Sequence, residues 1–217
     1  MIDHINASHA RHIVTIEDPI EVLFADREAI VSQREVGSDT AHVADALRRI
    51  ARQDADVVLV SDLPDADAVR EALAAAAAGR LVIAVLNTLS ATDTVNWMID
   101  RFPPHQQGSA RSLLGRVLRG VICQRLVDRA DGRGRVAVVE SLVGTHKVRD
   151  AIIDGADPSV LERLMSEGEY HGMATFDQAL FHLFSEEYVS LDEALERAVH
   201  PEDFRIAVQQ AGLATLR

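Results

Sequence analysis

Two short runs made wholly of apolar residues, Val57-Val58-Leu59-Val60 and Leu81-Val82-Ile83-Ala84-Val85-Leu86, constrain this chain more than any other feature. A strand with water on one face alternates polar and apolar side chains; a continuous apolar run of strand length needs cover on both faces. Such strands belong to parallel sheets, whose neighbours are joined by crossover helices. The intervening sequence agrees. Residues 66 to 78 are alanine-rich and helical up to Gly79, which suits a C-terminal cap. Residues 39 to 53 carry Val43, Ala46, Leu47 and Ile50 on one helix face, with Asp39 or Thr40 as a cap.

The remaining N-terminal pattern continues the alternation. His12–Ile16 and Ala29–Gln33 read as strands, and Arg135–Glu140 as one more. Helices are expected over 92–100 and 108–127, separated by Phe102-Pro103-Pro104, which forbids one unbroken helix. From about residue 145 the strands stop, and helical patterns follow at 146–154, 157–167, 174–185, 191–198 and 201–210. The expectation is an α/β layer with a mostly parallel sheet over 1–145 and a helical C-terminal region over 146–217.

Bulk properties narrow the function classes. A chain of 217 residues, 47% apolar, buries a substantial core without help from disulfides or metals. No run of about 18 apolar residues occurs, so no transmembrane helix is expected. Met1–Asn6 lacks the basic start and apolar core of a secretory signal. The single cysteine, Cys123, excludes an internal disulfide and a multi-thiolate zinc site, and reads as a packed thiol. A net charge of −12 argues against broad nucleic-acid binding, which needs a basic footprint. A soluble cytoplasmic protein is the plain expectation.

Polar chemistry collects just after three strands: Glu17-Asp18-Pro19-Ile20-Glu21, then Ser61-Asp62 with Asp65, then Asn87-Thr88 with Ser90. In an open parallel sheet the strand C-termini share one edge, and ligands bind there. Carboxylates and hydroxyls on one rim suit a magnesium–phosphate site, because hard cations take oxygen ligands. Glu17 can polarise a water and Asp62 can hold a metal-bound one. Arg34, Arg48, Arg49 and Arg52 can offer positive charge to a phosphate across a subunit boundary, although a solvated helix face is the simpler reading of Arg49. The histidines His4, His9 and His12 do not share one helix face and read as surface residues. Asp62, Asp65 and Asp67 lack the Gly and Glu of a calcium loop, and neither Ser90 nor Ser141 sits in G-x-S-x-G.

Thr15-Ile16-Glu17-Asp18-Pro19-Ile20-Glu21 resembles the aspartate box of secretion and pilus ATPases. Gln33-Arg34-Glu35-Val36, Ala46-Leu47-Arg48 and Arg52 resemble the stretch that leads from this box to Walker B. Asp54–Asp62 is similar to the Walker B strand, and Gly79–Val82 with Leu86–Ala91 to the histidine-box region. Gly172-Met173-Ala174-Thr175-Phe176-Asp177 looks like the twitching-motility, pilus-retraction branch, the PilT/PilU type. The resemblance implies a RecA-like P-loop NTPase core with ATP and Mg2+, a helical C-terminal region and a homo- or hetero-hexameric ring. It also implies a pilus platform protein as partner, at the inner face of the cytoplasmic membrane. Within it, Glu17 carries water activation and Asp62 the Walker B and metal role. Asp18, Glu21, Arg34, Arg48, Arg52, Arg80, Asn87 and Thr88 fall in the nucleotide-binding motifs.

The chain departs from that pattern where it matters most. No G-x-x-x-x-G-K-[ST] occurs, so no loop of backbone amides and no lysine cradles the β- and γ-phosphates. Met1–Asn6 resembles the tail of the helix that follows this loop. The resemblance predicts glutamate where Asp62 stands, histidine at Arg80 and Asn87, and arginine at Pro64. Val148–Ile153 matches the retraction motif loosely. Two explanations stand side by side: a fragment of a longer motor, or a chain that has become a non-hydrolysing subunit. On either, the expectation is a truncated core deficient in hydrolysis.

Overall fold

The computed structural model describes residues 1–50 and 52–213, so part of the helix expected at 39–53 lies outside the described residues. The chain divides into two compact units, Met1–Asn87 with Asn96–Val117, and Thr88–Val95 with Leu118–Arg217. The division differs from the expected boundary at residue 145. The reason is a strand pair, described below, that packs with the C-terminal helices.

In the first unit four strands form one parallel sheet in the order β2-β1-β3-β4: β1 His12–Glu17, β2 Ile30–Glu35, β3 Val57–Val60 and β4 Leu81–Ala84. β1 is flanked on both sides, with Ile16 level with Arg34 and with Val60. Its pleat sends Ile13 towards helix α1 (Ile2–Ser8), into a cluster with Ile2, Ala29, Val57, Phe24, Val31, Leu59 and Ile83. Val14, Ile16, Val58 and Val60, on the opposite pleat, are buried. On that basis the apolar run 57–60 is covered on both faces. Helix α2 (Val43–Ile50) packs on β1, and α3 (Ala66–Ala77) packs on β4, α2 and α5 (Pro104–Val117). Asp65 caps α3 by accepting from the Ala68 N–H at 2.8 Å.

β4 departs from the expected buried strand. It ends at Ala84, and Leu81 and Val85 are 44% and 52% exposed. Its place at the end of the sheet leaves it one neighbour, β3.

The second unit contains the largest departure. The helix expected over 108–127 ends at Val117, and Gly120–Asp128 forms strand β5, antiparallel to β6 (Arg135–Val143). β6 therefore belongs to a separate two-stranded sheet. The pairing selects a period of two: Cys123, Val127, Val138, Glu140 and Leu142 are buried, while Ile122, Leu126 and Val139 are exposed. The buried face meets helices α8 (Phe176–Ser185), α9 (Leu191–Arg197) and α10 (Pro201–Gln210) in a core of Val127, Val138, Phe176, Leu180, Phe184, Phe204 and Val208. Phe181, Phe184 and Phe204 meet edge to face at 5.9–6.4 Å.

The helical part follows the expected pattern, with α6 at His146–Asp154 and α7 at Pro158–Ser166. These short helices begin at side-chain caps: Thr145, Asp157, the Thr175–Gln178 capping box, and Ser190. The Asp177 carboxylate accepts from the Val199 and His200 N–H groups at 2.7 and 2.8 Å, which sets the entry to α10. The His200 ring lies 2.9 Å from Glu162. Burial of Cys123 pushes its thiol pKa up, against the lowering effect of the Thr94 hydroxyl.

A Cβ at Gly168 would stand 2.7 Å from the Leu164 carbonyl oxygen and overlap the Met173 side chain. Gly168→Ala is expected to cost about 1–3 kcal/mol in urea unfolding. The hydrogen bond to Glu162 holds the His200 pKa above its ordinary value, with Asp177 and Asp203 acting in the same direction and partial burial against them. A raised folded pKa gives stability that is complete below the unfolded value of about 6.5 and is lost as pH rises through the folded one. His200→Gln should therefore lower the melting temperature more at about pH 6 than at about pH 8, and Glu162→Gln should lower the NMR titration midpoint of His200.

Candidate functional site

Parallel strands in shared register bring their C-terminal ends to one edge of the first unit's sheet. The Ser61 N–H donates to the Ile16 carbonyl and the Val85 N–H to the Val60 carbonyl, so the ladder continues one residue past each strand. Glu17, Ser61-Asp62 and Asn87 follow at that edge. The Asp18 N–H donates to the Ser61 hydroxyl at 3.1 Å and ties two of the loops together.

Glu17 is the buried member, 7% exposed. Its Oε1 accepts from the Thr15 hydroxyl at 2.6 Å and from the Gln33 side-chain amide at 3.0 Å. Thr15 precedes Glu17 by two and so shares its face of the sheet, and Gln33 is level with Thr15 on β2. Gln33 also donates to the Val22 carbonyl and accepts from the Phe24 N–H, both at 2.8 Å. Glu35 accepts from the Ile20 N–H at 3.1 Å. The loop after Glu17 is thus laced to β2, and the carboxylate is held in one orientation by two neutral donors. The sequence reading missed Thr15 and Gln33 as its partners; the signal available was their alternation with Glu17 on adjacent strands.

The other rim residues are open to solvent. Asp18, Glu21, Asp62 and Asn87 are exposed, and Asp62 accepts from the following Leu63 N–H at 2.8 Å. Thr88 belongs to the second unit, where its hydroxyl pairs with that of Thr94 at 2.7 Å.

The arginines have partners of their own or lie at other positions; Arg34 is level with Ile16 near the C-terminal end of β2. Arg80 precedes β4, so it sits at the end of the sheet opposite the rim. Arg34 donates to the Gln53 side chain at 2.7 Å. Arg48 pairs with Glu71 at 3.0 Å and Asp45 at 2.8 Å, and the Glu71 hydrogen bond leads in raising its pKa. Arg52 is exposed beyond α2, near the turn where Asp56 accepts from the His12 N–H at the start of β1.

The rim therefore offers an oriented carboxylate, further acidic groups and an amide. These are oxygen donors of the kind a hard cation accepts, and no G-x-x-x-x-G-K-[ST] loop stands in the sequence beside them.

Comparison with known proteins places the chain in a family and a fold. The profile of the family described as "Type II/IV secretion system protein" matches residues 1–174. The type IV pilus retraction ATPase PilT of Pseudomonas aeruginosa is 37% identical over 204 residues, 94% of this chain and 59% of that protein. The type IV pilus ATPase PilU of the same organism is 34% identical over 209 residues, 96% of this chain and 54% of that one. The chain thus spans somewhat more than half the length of the relatives it matches. A crystal structure of the pilus retraction motor PilT with bound ADP superposes with a TM-score of 0.83 at 39% identity, covering 94% of this chain and 57% of that one. The ATPase DotB of Legionella pneumophila, at 23% identity and a TM-score of 0.78 over 96% of this chain and 55% of its own, shares the fold. The chain belongs to the type II/IV secretion system protein family.

Proposed function

We propose that this chain is a subunit of a pilus-retraction motor of the PilT/PilU type that, as given, lacks hydrolytic competence. One observation carries the reading: the Glu17 carboxylate, oriented by Thr15 and Gln33, stands at the same sheet edge as Asp62 and Asn87, in a sequence without a phosphate-cradling loop. A general base aimed at a water needs a fixed direction, and the two hydrogen bonds supply it. The γ-phosphate needs cationic and amide donors, and the rim has none of the family's loop to give. Adenine nucleotide is the proposed ligand class, since the similar pilus motor was crystallised with ADP. In this reading Asp62 meets the magnesium, and Asp18, Glu21 and Asn87 flank the nucleotide.

Arg34 donates to Gln53, Arg48 is paired with Glu71 and Asp45, and Arg80 precedes β4. Phosphate binding by these arginines across a subunit boundary would favour a ring, proposed as a hexamer working with a platform protein at the inner membrane's cytoplasmic face. No helix among the described residues is long and apolar enough to cross a membrane. A second reading, a non-catalytic subunit that joins or regulates a ring of active motors, is favoured by Asp62, Pro64, Arg80 and Asn87, which replace the residues the family pattern predicts.

Purified protein with ATP and magnesium is expected to release phosphate no faster than a protein-free control, and Glu17→Gln should change nothing. Turnover that Glu17→Gln abolishes would overturn the reading. Adding the chain to an active PilT-type ATPase tests the second reading: mixed rings by native mass spectrometry, with turnover altered in step with the chain added, are expected of a regulatory subunit, and unchanged turnover counts against it.

A further inference from the structure

The second unit buries a carboxylate for which the proposed nucleotide site has no use. Glu140 on β6 is 5% exposed and lies on the inward face of the strand pair, level with Cys123 on β5. Its two oxygens are shared between two backbone amides far apart in sequence. Oε1 accepts from the Ala91 N–H at 2.6 Å, and Oε2 accepts from the Phe176 N–H at 3.2 Å. Both are the first residues of ten-residue helices, α4 (Ala91–Asp100) and α8. Ser90 and Thr175 serve the amides two positions further on, at Asp93 and Gln178. Of the other first-turn N–H groups, Glu140 satisfies the first of each helix.

A second contact joins the same two segments. Arg125, on the paired strand, donates to the Leu89 carbonyl at 3.0 and 3.3 Å and stacks its guanidinium 4.0 Å above the Phe176 ring. Each helix N-terminus carries a partial positive charge of roughly half a unit. One buried negative charge facing two such ends is compensated without a full ion pair, and hydrogen bonds from amides to an ionised carboxylate are about twice as strong as neutral ones.

We propose that Glu140 is a positioning residue: an internal anion that fastens the first turns of α4 and α8 to the strand pair by its charge and not by its bulk. Through α4 it holds the segment that carries Thr88, whose hydroxyl is already tied to Thr94. A corollary is chemical. With the side chain cut back to a methyl group, the vacated space between the two amides becomes a pocket for a small carboxylate.

Two variants and one additive test this. Glu140→Gln keeps the shape but offers one acceptor oxygen, and its NH2 group then faces an N–H donor. Hydrogen exchange followed by mass spectrometry should show one of the two segments, 88–95 or 174–180, exchanging about tenfold faster or more in this variant, the penalty of one unpaired buried amide. Glu140→Ala should loosen both segments, and sodium formate should restore their protection more than sodium chloride at equal ionic strength. Formate should do nothing for Glu140→Gln, where the space is filled. Wild-type exchange in both segments of Glu140→Gln would overturn the proposal. So would a Glu140→Ala protein whose loss of protection is uniform across the second unit and indifferent to formate. If Glu140→Ala does not fold, the Glu140→Gln result decides alone.

Discussion

The pairing of β1 with a parallel strand on each side is the constraint on which the rest of the first unit depends. Ile13 and Val14 are completely buried and Ile16 nearly so, because β2 and β3 close the strand's edges while α1 and α2 cover its faces. Once these strands run in one direction, their C-terminal ends have no choice but to share an edge. The orientation of Glu17 is a consequence of the same pairing. The pleat puts Thr15 beneath it, and the register puts Gln33 beside Thr15. Slipping β2 by one residue would move Gln33 to the other face and remove one of the two donors.

The second unit solves a different problem. Its helices are seven to ten residues long, too short to persist in water by themselves. They are stabilised by caps at their N-termini and by the apolar face of the β5–β6 pair, against which Phe176, Leu180 and Phe184 are buried. The polar element inside this apolar contact is Glu140, admitted because both oxygens are paired. An unpaired carboxylate at the same depth would be costly; a paired one adds direction to packing that is otherwise indifferent to rotation.

Charge is arranged to match. The rim carboxylates Asp18, Glu21 and Asp62 remain in water, where their mutual repulsion is screened and costs little. Arg48 is taken up by Asp45 and Glu71, and Arg34 donates to Gln53.

Local pattern sufficed for the strand at Val57–Val60 and the helix at Pro201–Gln210, since each depends on residues close in sequence. The motif Thr15–Glu21 likewise marked Glu17 without any knowledge of its neighbours. Position in the sheet was not legible: the apolar run at Leu81 gives no sign that it forms an edge, because exposure there depends on which strand lies beside it. The segment around Cys123 was misread as helix because its short apolar run fits either period until Val136 and Val138 pair opposite it. Glu140 and the amides of Ala91 and Phe176 are 49 and 36 residues apart, so no spacing rule could join them. The sequence alone determined which segments could be strands or helices, through hydrogen bonding and burial within a few residues. Only the tertiary structure decided which of them met, because that choice is made by strand pairing and buried charge acting between distant parts of the chain.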